Sequence, residues 1–283
     1  MNFISKSIHI GKHFARNSGY RSTLLEWVGY KCFGSPEPRI HVTADTGKQF
    51  TVRHWQNMSE LHYWSSISIS PDERRAIGLA VEKSELPCVD VGANIGLYSL
   101  FFAASGASRV FAIEASLPNF QRLKKNLSEN PDLADVVTPL NVAASDSTQQ
   151  ISVRFNAGSP GQTCISPDSD DAEICETIVL DEFCRAKSIS GIALLKIDVE
   201  GFEMRVLEGC RELLMEKRIN WVLFESIDQG LRNYGSSRSE QWEYFSSLGY
   251  QISEVSGEPL GLKKFVESNG TDFLASPRTH SIS

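Results

Sequence analysis

The sequence predicts an α/β fold with a parallel sheet covered on both faces, and three observations predict it. From residue 71 onward, apolar runs of strand length alternate with stretches of helical periodicity. One such run ends in Asp90-Val91-Gly92-Ala93-Asn94-Ile95-Gly96, where a strand passes through a tight turn into a helix. The 283 residues, 41% of them hydrophobic, suffice for one sizeable core and leave several dozen residues for appendages. The expected division is an N-terminal extension over 1–70, a Rossmann-like domain over 71–276 and a polar tail over 277–283.

The elements follow in order. The first 35 residues carry Lys6, Lys12, Arg16, Arg21 and Lys31 against one acid, Glu26, and read as a helix that caps the main domain or packs on a partner. Residues 39–54 alternate around Asp45-Thr46-Gly47, the pattern of a β-hairpin, expected as a lid or platform. Ser70-Pro71-Asp72-Glu73 opens a helix, with serine at the cap, proline in the first turn and glutamate three residues after the cap. Strands over 86–91, 109–114 and 136–143 alternate with helices over 95–105 and 118–130. After a short strand at 151–155, residues 156–172 are rich in Gly, Ser, Pro and Asp, which predicts a long loop of functional type. A strand over 176–180 then leads to a short helix that Asp181 is placed to cap. Strands at 189–198 and 220–225 flank a helix over 202–217, and strands at 250–255 and 271–275 complete the sheet.

Composition narrows the function. Lys and Arg total 28 against 35 Asp and Glu, a net charge of −7, so no nucleic-acid partner is expected. No stretch approaches the roughly 20 apolar residues of a membrane span. The six cysteines form no CxxC pair and no cluster with histidine suited to zinc, which is the usage of reduced thiols in a cytoplasmic protein.

The turn after residue 91 carries the first chemistry. Gly92 permits the turn, and amides at a helix start favour an anion. That anion is the pyrophosphate of a dinucleotide or the carboxylate of a methionine moiety, whose ammonium would meet an acid such as Asp90. A dinucleotide fingerprint has glycine where Asn94 stands and again at position 97, so an NAD-dependent oxidoreductase is the weaker reading. Glu114, 18 residues beyond Gly96, is placed to accept hydrogen bonds from ribose hydroxyls. Past the third strand, Asp146 or a backbone group near Ala144 is placed to meet an adenine amino group.

A second acidic site is Lys196-Ile197-Asp198-Val199-Glu200-Gly201-Phe202-Glu203. Strand alternation puts Lys196 and Asp198 on one face, where an ion pair is the plain reading. Asp198 and Glu200 are candidates for the rim of the crevice. Glu203 belongs to a first helical turn, where the helix dipole also favours a carboxylate. Glu225 ends the next strand, and Asp198, Glu200 and Glu225 would converge to take a proton from a hydroxyl or to hold a divalent metal through oxygen ligands.

At these residues the chain resembles the FkbM family of methyltransferases, in which DVGANIG, an acid closing the next strand, and KIDVEG with a following glutamate recur in that order. The resemblance spans roughly residues 86–226. It implies a class I methyltransferase fold, a seven-stranded sheet whose last strand is antiparallel, and S-adenosylmethionine-dependent O-methylation of a small molecule or saccharide acceptor. By motif, Asp90, Gly92, Asn94, Gly96 and Glu114 would bind the cofactor, while Asp198, Glu200 and Glu203 would lie toward the acceptor. His54, His62 and Trp64 are further candidates for the acceptor pocket. A non-catalytic cofactor-binding scaffold subunit is the alternative from another class, and acids blocked and paired internally would mark it.

Overall fold

The computed structural model describes residues 39–53, 69–82, 84–155, 163–165 and 172–278. The N-terminal helix, His54, His62, Trp64, the end of the tail and most of the 156–172 loop lie outside the described residues.

Strands β1 (Arg39–Thr43) and β2 (Gln49–Arg53) pair antiparallel, with Thr43 opposite Gln49. Period-two alternation turns Ile40, Val42, Phe50 and Val52 to one buried face. Helix α1 (Pro71–Val81) starts with the reciprocal cap written in its sequence: the Glu73 amide donates to Ser70 Oγ and the Ser70 amide donates to the Glu73 carboxylate. Then come β3 (Cys88–Val91), α2 (Leu97–Ser105), β4 (Val110–Ile113), α3 (Leu117–Ser128), α4 (Pro131–Ala134) and β5 (Val137–Leu140).

The third predicted strand is cut short. Ala143–Ala144 leave the main sheet as β6 and join β7 (Gln150–Phe155), β8 (Thr163–Ile165) and β9 (Glu173–Ile178) in a four-stranded sheet of order β6-β9-β7-β8. The expected loop therefore contains a strand. Helix α5 (Leu180–Ala186) leads to β10 (Ile192–Ile197), and α6 (Glu203–Glu208) and α7 (Arg211–Met215) replace the single helix expected over 202–217. The break falls at Gly209, where an added Cβ would lie 2.1 Å from the Ser145 carbonyl oxygen and where the glycine's own carbonyl accepts from the Asp181 amide. Asp181 does not cap its own helix. Its carboxylate accepts from the Glu212 and Leu213 amides at 2.8 and 3.0 Å and so caps α7. Next are β11 (Ile219–Glu225), α8 (Asp228–Asn233), α9 (Arg238–Ser247), β12 (Tyr250–Glu254), α10 (Leu262–Val266) and β13 (Asp272–Pro277).

The main sheet has seven strands in the order β12-β13-β11-β10-β3-β4-β5, all parallel except β13, which enters antiparallel between β11 and β12. This is the arrangement the family resemblance implies. One face packs Cys88, Ala112, Leu194 and Leu223 against α1, α2, α3 and the hairpin. The other packs Val89, Ile113, Leu195 and Phe224 against α5, α6, α7 and α9. The hairpin is tied down through α3 and its end: the Arg53 amide donates to Asn126 Oδ1, while Thr51 exchanges two hydrogen bonds with the Asn130 side chain. From β3 the chain runs outward to β5 and then returns to β10 on the other side. That reversal opens a crevice at the strand ends beside β3.

Candidate functional site

The crevice is a cleft of about 700 Å³, counted to its open mouth, at the carboxyl ends of β3, β4 and β10. Gly92, Asn94 and Glu114 line one part of it, and Asp198 and Glu200 line another. Two motifs more than 100 residues apart thus share one wall.

Gly92 has φ 81°, and an added Cβ would fall 1.8 Å from the Asp198 carbonyl oxygen. Its missing side chain makes room for the neighbouring loop, which the Asp198 amide also ties to the Val91 carbonyl. Gly96, φ 91°, caps α2 and clears Leu123. Four of the turn's amides are committed within the protein: those of Gly92 and Ala93 donate to the Ile113 carbonyl, Gly96 to Ala93, and Asn94 to Glu114 Oε2. Asn94 itself is left-handed, φ 51°, and its buried Oδ1 has no partner.

Glu114 is buried, its two oxygens accepting from the Asn94 and Ser116 amides at 2.7 and 2.9 Å. Burial pushes its carboxyl up to about 7 against the pull of those two amides. Asp90 does not line the cleft. It is fully buried, Oδ2 accepts from Ser99 Oγ at 2.6 Å, and burial raises its pKa although Lys196 and Ser99 favour the charged form. Ala144 lines the cleft, whereas Asp146 does not and instead pairs with Arg205 at 2.5 Å.

At the second acidic motif, Lys196 donates to Asp198 Oδ2 at 2.8 Å, its ammonium 4.4 Å from the centre of the Tyr98 ring. The lysine end is buried and Asp198 is the exposed end, 36% accessible. Burial alone would lower the lysine pKa, but Asp198 and Asp90 outweigh it and hold the ammonium charged. Tyr98 in turn donates a hydrogen bond to Glu73. None of the motifs read from the sequence singles out Tyr98.

Glu200 has φ 56°, and the following Gly201 presses against Gly230 so closely that a Cβ would lie 2.2 Å from its carbonyl oxygen. This turn delivers the Glu200 side chain to the cleft. Burial, Asp198 and Glu203 together push its carboxyl up to about 7. Glu203 is buried and folds back, with Oε1 accepting from the Gly201 and Val199 amides at 2.9 and 3.3 Å. Its position braces the loop that carries Asp198 and Glu200. One oxygen each from Asp198, Glu200 and Glu225 lie within 4.8 Å of one another. Glu225 also stands opposite Asp272 in the β11–β13 register, and burial, then Asp198 and Glu200, drive its pKa strongly upward. The spacing in sequence found every member of this trio. Asn119, a cleft residue with an unpartnered oxygen, was not found.

With that geometry in place, the comparisons are specific. A family model described as Methyltransferase FkbM domain matches residues 90–252. The hexuronic acid methyltransferase AglP of Haloferax volcanii is 29% identical over 205 residues, which cover 71% of this chain and 80% of that protein. The structure of methyltransferase FkbM from Methylobacillus flagellatus KT aligns at a TM-score of 0.43 and 21% identity, over 68% of this chain and 43% of that one. This chain therefore spans less than half the length of that match. A SAM-dependent methyltransferase from Agrobacterium tumefaciens aligns at 0.43 and 14% identity, over 86% of this chain and 71% of that one.

Proposed function

The chain belongs to the FkbM family of methyltransferases, and from that premise we propose that it transfers a methyl group from S-adenosylmethionine to a hydroxyl of a sugar or similar small molecule. The observation that carries the reading is the single cleft lined by Asn94 and Glu114 on one part and by Asp198 and Glu200 on another. One cleft suits alignment of a donor and an acceptor. The saccharide class is supported by the relative whose name specifies a hexuronic acid.

The residues present fit the donor. A nucleoside brings hydroxyl and amino donors, and the wall offers the Glu114 carboxylate and the unpartnered Asn94 Oδ1 as acceptors. Gly92 and Gly96 shape this wall, Ala144 leaves room for a base, and Asp90 acts from within β3 through the hydrogen bond from Ser99 and its charge near Lys196. When bound, S-adenosylmethionine supplies a methyl group already activated on a sulfonium. What remains for the protein is to hold the acceptor oxygen in line and to remove its proton. Alignment of this kind supplies roughly 7–11 kcal/mol in favourable systems. A positioned base adds about 10²–10⁴-fold, most effectively with a pKa near the working pH. Glu200, at about 7 and in the cleft, meets that condition. Asp198 orients the hydroxyl, Lys196 holds Asp198, and Glu203 keeps the loop in register.

A second reading of the same acids is favoured by their spacing: Asp198, Glu200 and Glu225, all within 4.8 Å, would hold a divalent ion that ionises the acceptor. The oxidoreductase alternative gains nothing from the geometry. Acids lining an open cleft also disfavour the scaffold reading. No described helix is long and apolar enough to cross a membrane. The described free thiols at Cys88, Cys175, Cys184 and Cys210 are buried, which supports a cytoplasmic location.

The decisive experiment pairs labelled methyl incorporation into a panel of sugar hydroxyls, with and without chelator, with calorimetry on S-adenosylhomocysteine and NAD. Glu200→Gln is expected to lower turnover about 10²–10⁴-fold while S-adenosylhomocysteine affinity stays nearly intact. Equal loss of cofactor binding would overturn the division of roles. Loss of rate on chelation, restored by Mg²⁺, would select the metal reading.

A further inference from the structure

Phe202 stands at the cap of α6, two residues after Glu200, where it lines the cleft and is only half-buried. Among the described residues, neither Phe202 nor its ring partner Tyr234 belongs to the apolar clusters on the two faces of the main sheet. A large aromatic side chain stabilises a fold chiefly by burial in such a cluster. Core packing therefore does not account for this ring.

The backbone explains how the aromatic pair is held. Gly201, φ 108°, and Gly230 of α8 lie in backbone contact that a side chain would block, so α8 presses directly onto the loop. One residue beyond Gly201 is Phe202, and about one helical turn beyond Gly230 is Tyr234, the residue that caps the end of α8. The two ring centres are 5.4 Å apart with their planes at 76°. This edge-to-face arrangement is one that aromatic quadrupoles favour, and it leaves at least one face of the Phe202 ring uncovered by Tyr234.

The face of an aromatic ring is negative, which attracts the weakly positive C–H groups on the apolar face of a sugar. Hydroxyls around the rim of the same sugar need acceptors, and a carboxylate offers only acceptors. Asp198 and Glu200 share the cleft with Phe202. The three side chains together complement a ring with an apolar face and a hydroxylated rim. Charge narrows the choice further. No lysine or arginine is among the described residues lining the cleft, and the Lys196 ammonium is buried and paired with Asp198. A carboxylate on the acceptor would meet like charges there.

Resting on the proposed methyl transfer, we propose that Phe202, held by Tyr234, is the platform on which the acceptor ring lies, and that the acceptor is a neutral sugar rather than a uronate.

Saturation-transfer NMR on the full chain with S-adenosylhomocysteine tests this without an identified acceptor. The probes are the methyl glycosides of glucose, galactose, mannose and rhamnose, and those of glucuronic and galacturonic acid. At least one neutral glycoside is expected to bind more tightly than either uronate, with the strongest saturation on the C–H protons of one face. Phe202→Leu is expected to weaken that glycoside about two- to tenfold, while calorimetry shows S-adenosylhomocysteine affinity unchanged. Phe202→Tyr, which keeps the ring, is expected to bind as the wild type does. Tyr234→Leu removes the support and leaves the platform; a smaller weakening is expected, and it serves as the test should Phe202→Leu fold poorly. Failure of every neutral glycoside to bind overturns the proposal, as does tighter binding of a uronate. So does a Phe202→Leu variant that keeps its glycoside affinity or loses both ligands in equal proportion. A wild type that does not bind S-adenosylhomocysteine refutes the donor assignment instead, and the glycoside comparison repeated without it still decides the platform.

Discussion

Gly92 shows how far a single missing side chain reaches. Its φ of 81° lies in the left-handed region, and the place of its Cβ is taken by the Asp198 backbone, 1.8 Å away. Both terms oppose any substitution, and the second cannot be relieved without moving the loop that carries Asp198 and Glu200. Gly92→Ala is therefore expected to cost more than about 3 kcal/mol in urea unfolding and to abolish methyl transfer. Gly96→Ala meets a softer obstacle, the Leu123 Cδ1 at 2.5 Å, and is expected to cost less in the same measurement. Sequence identified Gly92 as a turn residue from the strand and helix around it. It did not identify the backbone pressed against it, because that contact joins residues over 100 positions apart.

At the scale of elements, two caps illustrate what local sequence can and cannot show. The Ser70 box lies within four residues, and the structure forms it as written. Asp181 looked like the same kind of signal and serves a helix 30 residues later, because the chain crosses there as α7 follows the break at Gly209. Ser70→Ala and Asp181→Ala are each expected to lower stability by about 1 kcal/mol in urea unfolding. A neutral Asp181→Ala would show that α7 does not depend on this cap. The hairpin is a third case. Its alternation is local, but its seat depends on Asn126 and Asn130, whose side chains satisfy the amides of β2 where a strand edge would otherwise be buried unpaired.

For the whole molecule, the buried acids set a pH dependence with a definite sign. Glu114, Glu200 and Glu203 are each raised from an ordinary 4.5 to about 7, chiefly by burial. Between about 4.5 and 7 the folded protein holds protons that the unfolded chain has released, so these groups make the unfolding free energy fall as pH rises across that window. Asp146 is shifted the opposite way, Arg205 and the hydroxyls outweighing burial, and acts only below that window. Urea unfolding at pH 5 and pH 7.5 is expected to show the decline, and Glu203→Gln to flatten it; a rise with pH that Glu203→Gln leaves unchanged would contradict it. What the sequence determined by itself is the seven strands of the main sheet, the turn at 92, and the acids at 114, 198, 200 and 225, since a period of two, apolar runs and residues at strand ends are local properties. What only the tertiary structure decided is which groups are spent internally and which are left unpaired: the amides of Gly92, Ala93 and Asn94 go to Ile113 and Glu114, one Asp90 oxygen goes to Ser99, Asp146 goes to Arg205, and Asn94 and Asn119 are each left with an unpaired oxygen. Hydrogen-bond partners compete across the whole fold for each donor, and that competition is resolved by proximity in space, which spacing along the chain does not encode.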